Sequence, residues 1–353
     1  MDENQRKTPQ EIGLDDFPLV SILVAVYNSS DYLHDCIDSL LGQTYTNLEI
    51  ICVDDASTDE SLSIMQDYQK KDARVKVLRL ERNQGQAVAR NHGLETATGG
   101  WIATVDSDDW LAEDAIEKTM KAIAEDREID AAVFQLMEFY GADNCHPYPM
   151  SELLKEGMVI TGREAFDLCL DWQLHGLYMV RADIHKDFPF DTTSRLYSDD
   201  NTTRLHYLHS RKVVLTDGQY FYRKHGQSAT NAISVNRFLY LEANLSMKRQ
   251  LVEEVNNGTL VDADAVLNRY ETIRWLNIVD ACWYYYLHRG EFTAEERKTA
   301  NTAIKKAFDS IERRRINPKI SRKFGYYPFR SFPIFRSVEN IYFFLRKILG
   351  RGK

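Results

Sequence analysis

From Pro18 to about Phe139, the chain alternates short apolar runs with segments in which apolar residues recur at helical spacing. The apolar runs predict buried strands at Leu19–Val26, Leu48–Val53, Val75–Leu80, Trp101–Val105 and Ala131–Phe139. Helical spacing predicts helices over Leu33–Leu41, near Gln86–Thr96 and near Glu113–Glu125. Ser57 and Glu60 have capping-box spacing and predict a helix that continues through Tyr68. Continuous apolar strands between amphipathic helices indicate an α/β fold with a mainly parallel sheet covered by helices.

The pattern changes twice further along the chain. Gly141–Pro149 is a polar break with two prolines, after which Thr161 and Glu164 have the spacing of a second capping box. Strand signals return at Leu177–Val180, Val213–Thr216 and Tyr220–Arg223. Residues 237–312 have the pattern of helices rich in Leu, Tyr and Trp. We therefore predict a polar N-terminal tail (1–16), an α/β domain in two halves (17–125 and 126–235), and a helical extension with a basic aromatic tail (236–353).

Charge is distributed unevenly along the chain. The net charge of −9 argues against a nucleic-acid-binding protein, because such proteins are usually basic. Residues 312–353 nevertheless contain twelve Lys or Arg and two Glu, a balance of +10, so the remainder carries −19. An asymmetry of this kind predicts a tail that binds a surface of opposite charge.

Cysteine usage and hydropathy predict a protein of the reducing cytoplasm. The five cysteines are scattered, odd in number and without a CxxC or Cys/His cluster, so neither a disulfide framework nor a zinc site is predicted. Residues 1–16 have no apolar core, which predicts no secretory signal. No run of eighteen apolar residues occurs, so no segment is predicted to cross a bilayer.

Polar side chains follow three of the predicted strands where each strand ends. Tyr27-Asn28 follow the first, Asp54-Asp55 the second and Asp106-Ser107-Asp108-Asp109 the fourth. Open parallel sheets bind ligands at this edge, and three carboxylates within four positions repel one another unless a cation joins them. Oxygen ligands without His or Cys beside them suit Mg²⁺ or Mn²⁺, which usually bind substrate phosphates as well. A helix cap is the alternative role for either acidic group. Neither a Walker A sequence nor a GxGxxG follows the first strand, which argues against P-loop and dinucleotide-binding proteins.

These segments carry a resemblance to a known family. VSILVAVYNSSDYLHDCIDSLLGQTYTNLEIICVDDASTDES and NQGQAVARNHGLETATGGWIATVDSDDWL resemble family 2 glycosyltransferases of the GT-A fold, particularly bacterial members of polysaccharide biosynthesis. The similarity is dense over residues 18–125 and looser over 186–231. It implies that 17–125 binds a nucleotide-sugar and that 126–235 binds the acceptor. Ala25 and Ala56 depart from the family pattern, where proline and glycine are common.

The resemblance also implies roles for individual residues. It places the nucleotide-sugar near Val26, Tyr27, Asn28, Asp54, Asp55, Arg90, Asp106 and Ser107. Asp106-Ser107-Asp108 is similar to the DXD motif, which implies that Asp106 contacts the ribose and that Asp108 binds Mn²⁺ or Mg²⁺. Asp109 is expected to support these residues without contacting the ligand. Asp106 itself and His225 are further candidate metal ligands, and His225 and Arg223 are candidate contacts for the diphosphate or the metal. A plain surface histidine is the alternative interpretation of His225.

An inverting transfer needs a carboxylate near the incoming hydroxyl. Asp200 in RLYSDDNTTRLHYL is similar to the family's aspartate of that motif, so it is the predicted base, with Asp199 as the second candidate. The alternative is that this pair caps the helix that follows. Trp172 and His175 precede a strand where acceptor contacts are found in the family, although a tryptophan there is more typical of a core position.

The basic aromatic tail has two interpretations. Ile341, Phe344, Leu345 and Ile348 fall on one side of a predicted C-terminal helix, and apolar groups beside Lys and Arg suit contact with an anionic membrane. Alternatively, the aromatic residues of 313–353 pack against the main domain or a second subunit.

The resemblance as a whole implies a metal-dependent, inverting glycosyltransferase. It would move a sugar from a nucleotide diphosphate, with UDP favoured by family habit, to a hydroxyl of a glycan or lipid-linked glycan. We expect it in the cytoplasm, at the inner face of the plasma membrane, in surface polysaccharide synthesis. A nucleotidyltransferase is the alternative enzyme, but YNSSD stands where its glycine-rich loop belongs. A catalytically silent module that binds nucleotide-sugars is the third interpretation.

Overall fold

The computed structural model describes residues 18–150, 154–197, 199–225 and 233–349. The predicted polar tail, residues 1–16, lies outside the described residues, as do the last four residues of the basic aromatic tail. The strands are β1 Val20–Val26, β2 Leu48–Asp54, β3 Val75–Arg79, β4 Trp101–Thr104, β5 Trp110–Leu111, β6 Ile129–Gly141, β7 Asn144–Pro147, β8 Val159–Thr161, β9 Tyr178–Arg181 and β10 Lys212–Arg223.

The α-helices alternate with the first strands and then replace them. They are α1 Leu33–Leu41, α2 Ser61–Lys71, α3 Gln86–Thr96, α4 Ala115–Ala124, α5 Gly162–Cys169, α6 Ala182–Asp187, α7 Asp199–His209, α8 Tyr240–Asn256, α9 Ala263–His288, α10 Ala294–Asp309, α11 Pro318–Ser321 and α12 Phe332–Ile348. Short 3₁₀ turns occupy Val235–Leu239 and Arg313–Arg315. In the described part of the chain, no helix is both long enough and apolar enough to span a bilayer.

The strands form one mixed sheet in the order β3-β2-β1-β4-β9-β6-β10-β5. The first four are mutually parallel, β9 runs antiparallel between β4 and β6, and β6 is parallel to β10. The predicted fold, a mainly parallel mixed sheet with a C-terminal helical extension, is therefore confirmed.

Alternating side chains of β1 explain why helices cover both faces of this sheet. Ile22 and Val24 pack with apolar residues of α1 and α4, whereas Leu23 packs with α3. Because both faces are buried, the strand needs apolar residues at successive positions rather than at every second one. The continuous apolar runs in the sequence follow from this two-sided burial.

Three local predictions are wrong. Ser57 does not cap α2; the helix begins at Ser61 with Glu60 at the N-cap, and the Ser57 hydroxyl accepts a bond from the Asn28 backbone instead. The two strand signals after residue 212 belong to one strand, β10, whose register shifts between Leu215 and Gln219. The polar break contains β7, which pairs antiparallel with β6 as a hairpin. The second predicted capping box, Thr161 with Glu164, is confirmed at α5.

The chain divides into two compact units. The first contains the described residues up to Arg195 and those from Thr202 to 225, and it holds the sheet. The second contains Leu196–Asn201 and 233–349. Its core surrounds α9, where the Trp275 ring lies 5.1 Å from Phe335 and its Nε1–H donates to the Tyr326 carbonyl oxygen (2.8 Å).

Part of the basic aromatic tail packs into this second core. Phe335 and Phe343 of α12 are buried, and Phe343 lies 5.1 Å from the Trp283 ring. The predicted apolar side of the helix, with Ile341, Phe344 and Ile348, is exposed. Packing against the protein thus describes one face of α12, and the face predicted to contact a membrane is the opposite, exposed one.

Glu339 is buried on the packed face of α12, which predicts a pH-dependent stability for the second unit. Burial raises the pKa of its carboxyl from 4.5 to about 8, although the Arg336 guanidinium lies 3.8 Å away. The folded state therefore holds the proton more tightly than the unfolded chain, and its free energy of unfolding falls as pH rises from about 4.5 to about 8.

We expect Glu339→Gln to leave stability nearly unchanged near pH 4.5 and to raise it above pH 8, by up to about 5 kcal/mol. Urea unfolding at both pH values measures this difference. The matched control is Glu242→Gln, which removes a surface carboxylate paired with Lys306 and should show no such dependence on pH. Equal effects of Glu339→Gln at both pH values would contradict the assignment.

Candidate active site

Three parallel strands of the first unit end side by side. Because β1 pairs in register with both β2 and β4, the residues that follow these strands meet at one edge of the sheet. Tyr27 is half exposed there, with 48% of its surface accessible, as expected for a ring that a ligand would cover. Val26 is buried, and its carbonyl oxygen accepts from the Asp55 backbone N–H (2.8 Å).

A set of hydrogen bonds joins the loops after these strands; we call Asn28, Ser29, Ser57, Thr58 and Ser107 the strand-end network. The Asn28 backbone N–H donates to Ser57 Oγ (3.1 Å), and Asn28 Oδ1 accepts from the Thr58 backbone N–H (2.8 Å). Ser29 Oγ lies 2.7 Å from Ser107 Oγ in the third loop. Asn28 has φ 49°, a left-handed conformation that asparagine tolerates better than most residues. The network fixes the three loops relative to one another.

Asp54 and Asp55 are both buried but differ in what they bond. Both oxygens of Asp55 accept backbone N–H groups, from Gln84 and Gly85, at 2.7 Å each. Asp54 Oδ1 accepts from the Ser57 N–H (2.9 Å), while Oδ2 lies 3.4 Å from Arg79 Nε and accepts no hydrogen bond within the described residues. Asp54 therefore has one oxygen without a hydrogen-bond donor in the described part of the chain, whereas Asp55 holds the loop that leads into α3.

Asp106, Asp108 and Asp109 form an acidic cluster after β4. One carboxylate oxygen from each lies within 4.8 Å of the other two. Asp109 is fully buried, and burial together with the charges of Asp106 and Asp108 raises the pKa of its carboxyl well above the ordinary value. Such mutual repulsion is relieved by a positive charge between the carboxylates.

Two residues of β10 donate hydrogen bonds to the carboxylate of Asp109. The Tyr220 hydroxyl donates to Asp109 Oδ2 (2.9 Å) and accepts from the Asp106 backbone N–H (3.0 Å). The Arg223 backbone N–H donates to Asp109 Oδ1 (2.8 Å). Asp109 thus supports the loop that carries the cluster.

Side chains from other elements hold the outer two carboxylates. The buried Arg90 guanidinium pairs with Asp106 Oδ1, which also accepts from Gln86 Nε2 (3.0 Å). His225 Nε2 lies 2.9 Å from Asp108 Oδ2. Arg223 Nε donates to the Asp108 carbonyl oxygen (2.9 Å), and its guanidinium lies over the Trp110 ring at 4.5 Å. The structure therefore brings Arg90, Arg223 and His225 to the acidic cluster.

The donor set of this cluster fits a hard divalent cation. Asp106 and Asp108 are half-buried, so both carboxylates remain accessible, and oxygen ligands are those that Mg²⁺ and Mn²⁺ prefer. Asp109 has both oxygens engaged by Tyr220 and Arg223, which leaves Asp106 and Asp108 as the residues to hold the ion. His225 bonds the Asp108 carboxylate, so its own part as a ligand stays a prediction.

Asp199 and Asp200 open helix α7, and both are half-buried. Acidic residues in a first turn also favour the helix dipole, so the cap interpretation and the base interpretation both stand. The expectation of a core position for Trp172 is wrong: the side chain is 40% exposed, with Arg204 over its ring at 5.4 Å, whereas His175 is buried.

Sequence reasoning missed Tyr220, Gln86 and the hydroxyls of Ser29, Ser57 and Thr58 as parts of this site. Tyr220 looks like an ordinary inward-facing strand residue, and nothing in its spacing links it to Asp109, 111 positions earlier. The available signals were the strand signal at Tyr220–Arg223 and the NQGQAVARN segment, in which Gln86 was not singled out.

Comparison with known proteins shows what the segment that contains this site is similar to. The model of glycosyl transferase family 2 matches residues 21–175, which contain the three strand ends and the acidic cluster. The chain therefore carries a match to glycosyl transferase family 2 over these residues. Its fold is that of TarS 1-349 of S. aureus, solved in complex with UDP-GlcNAc, with a TM-score of 0.68, 21% identity and coverage of 92% of this chain and 91% of that one.

Two curated glycosyltransferases show how the similarity is distributed. Glycosyltransferase GlyG of Streptococcus pneumoniae is 28% identical over 312 residues, 84% of this chain and 98% of its own length. Putative glycosyltransferase EpsH of Bacillus subtilis is 45% identical over 112 residues, 32% of each chain. The stronger identity is thus confined to a stretch about as long as the predicted nucleotide-sugar half.

Proposed function

We propose that this protein is an inverting, metal-dependent glycosyltransferase that moves a sugar from a UDP-sugar to a hydroxyl of a glycan or lipid-linked glycan. The observation that carries the proposal is the acidic cluster: three carboxylates whose oxygens lie within 4.8 Å, at the ligand-binding edge of a family 2 domain. The complex of TarS 1-349 with UDP-GlcNAc supports UDP as the nucleotide.

In this proposal each residue of the site has a separate task. Tyr27 covers the base, Asp54 accepts from the nucleoside through Oδ2, and Asp106 contacts the ribose. Asp108, with Asp106, holds Mn²⁺ or Mg²⁺, which when bound supplies positive charge to the departing diphosphate. Arg90 and Gln86 fix the Asp106 carboxylate, so little reorganisation is needed when the donor arrives.

We assign proton transfer to the acidic pair in the first turn of α7. Asp200 would accept the proton of the acceptor hydroxyl as that oxygen attacks the anomeric carbon and the bond to the diphosphate breaks. A single displacement inverts the configuration of that carbon. Asp199 is the second candidate for the base.

We place the reaction in the cytoplasm, in surface polysaccharide synthesis. The five cysteines are unbonded, and Cys145 is exposed, which suits a reducing compartment. For a lipid-linked acceptor, the enzyme would work at the inner face of the plasma membrane.

A donor panel tests the proposed substrate class. We expect UDP-sugars, in the presence of Mn²⁺, to raise the thermal midpoint more than GDP- or dTDP-sugars, since a ligand stabilises the state that binds it. Chelation of the metal should abolish this difference. Stabilisation by none of these donors, or equal stabilisation with and without metal, would contradict the proposal.

A further inference from the structure

Helix α12 has two apolar faces, and the second unit covers one of them. Phe335 and Phe343 face inward and are buried, with Glu339 between them. The opposite side carries a row of large apolar residues that are 42% to 66% exposed; we call this row the outer stripe. Its members are Ile334, Ile341, Phe344, Leu345, Ile348 and Leu349.

The outer stripe is larger than a chance exposure of single residues. Its members recur at spacings of three, four and seven along the helix, so they form one continuous surface. Contiguous apolar patches of this kind on proteins mark a site of contact with a partner or a membrane. The inward face is fixed to α9 through Phe343, which lies 5.1 Å from Trp283, so the stripe cannot turn inward without breaking the core.

Cations and further aromatic rings are exposed in the segment just before this helix. Phe324 and Tyr327 are 58% and 55% exposed. Arg322, Lys323 and Arg330 are exposed beside them, and no ion pair is found for these three within the part of the chain that the structure describes. Other exposed cations of the unit do have acidic partners, for example Lys305 with Asp309.

We infer that the outer stripe docks onto the surface of an anionic lipid bilayer. Apolar side chains flanked by unpaired Lys and Arg match the acyl boundary and the phosphate layer of such a surface. A second copy of the chain, packed through the same stripe, fits less well. It would place the cations of 312–353, with their balance of +10, close to the same cations of the other copy, and like charges repel. The remainder of the chain, at −19, has the same sign as such lipids, so the attraction must come from residues 312–353.

This inference deepens the placement at the membrane proposed above, but it does not require sugar transfer. Binding to vesicles is measured without donor or acceptor. Vesicle binding can therefore be absent while sugar transfer is present, and sugar transfer can be absent while vesicle binding is present.

Flotation of the full chain with vesicles tests the inference. We expect flotation with vesicles of phosphatidylcholine and phosphatidylglycerol, little with phosphatidylcholine alone, and weaker binding at high salt. The triple variant Ile341→Asn/Phe344→Ser/Ile348→Asn should reduce binding at least about tenfold, because it removes three side chains from the apolar surface that would insert. Deletion of 313–353 is a poorer test, because it also removes Phe335 and Phe343 from the core.

The matched control is Val261→Asn, which replaces an apolar residue of the same unit that is 89% exposed and lies outside α12. It should float like the parent protein. A second variant, Arg322→Gln/Lys323→Gln/Arg330→Gln, leaves every apolar residue in place and should lose the preference for phosphatidylglycerol.

Three results would overturn the inference. The parent protein does not float with either vesicle; both variants float as the parent does; or the parent is a dimer that the triple variant converts to a monomer, without any binding to vesicles. The last result would assign the outer stripe to a second copy. Sedimentation velocity on the same samples separates it from lipid binding.

Discussion

Asp108→Asn is expected to reduce sugar transfer by about 10³-fold while leaving the protein at least as stable as its parent. The loss corresponds to about 4 kcal/mol of transition-state stabilisation, which is the range for removing the charge that neutralises a departing diphosphate. Stability should hold or rise because the substitution removes one of the charges that repel Asp109 in the acidic cluster. Transfer rates give the first quantity, and thermal midpoints measured without added donor give the second.

The opposite signs of these two effects separate a metal-binding role from a structural one. Asn keeps an oxygen that accepts from His225, so the hydrogen bond at 2.9 Å need not be lost. The control is Asp67→Asn on α2, an exposed aspartate paired with Lys70, which should change neither quantity. If Asp108→Asn kept normal transfer, or if donor affinity in Mn²⁺ were unaltered, the proposed metal site would be wrong.

Asp200→Asn is expected to lower kcat by about 10³-fold with donor affinity within about twofold of the parent. The reason is that a general base acts on the acceptor hydroxyl and not on the bound nucleotide-sugar. Steady-state kinetics and calorimetric titration of the donor measure the two effects, and NMR of the product measures the anomeric configuration.

Asp199→Asn is the matched control, because the neighbouring residue shares the first turn of α7 and its helix dipole. A cap pair predicts similar, modest losses of stability from both substitutions, of about 1 kcal/mol, with kcat nearly intact. A large loss of kcat from Asp199→Asn alone would move the base to that residue.

The sheet was largely predictable from the sequence because its strands are buried on both faces. β1 and β2 are buried at almost every position, which requires the continuous apolar runs that predicted them. The acidic cluster was predictable because three carboxylates at a buried strand end repel one another unless positive charge or hydrogen-bond donors stabilise them.

The parts that the sequence did not predict depend on contacts between distant segments. From the sequence, the Ser57 hydroxyl could equally well cap the following helix. Only the approach of the Asn28 backbone N–H, which donates to this hydroxyl, shows that it does not. Thr216-Asp217-Gly218 resembles a turn, yet the chain continues as one strand. A Cβ at Gly218 would lie 2.5 Å from the Ala115 carbonyl oxygen, so glycine is required by close packing against α4.

The strand order sets a limit on which fragments of this protein can be prepared. The family match ends at residue 175, but β9, at Tyr178–Arg181, lies between β4 and β6 in the middle of the sheet. A fragment of 21–175 would leave β4 and β6 as two open edges with unpaired backbone groups and no strand to bridge them, and such edges promote aggregation. During ribosomal synthesis β9 is also absent at first. The two parts of the sheet that it joins therefore stay separate until the chain has been made beyond Arg181.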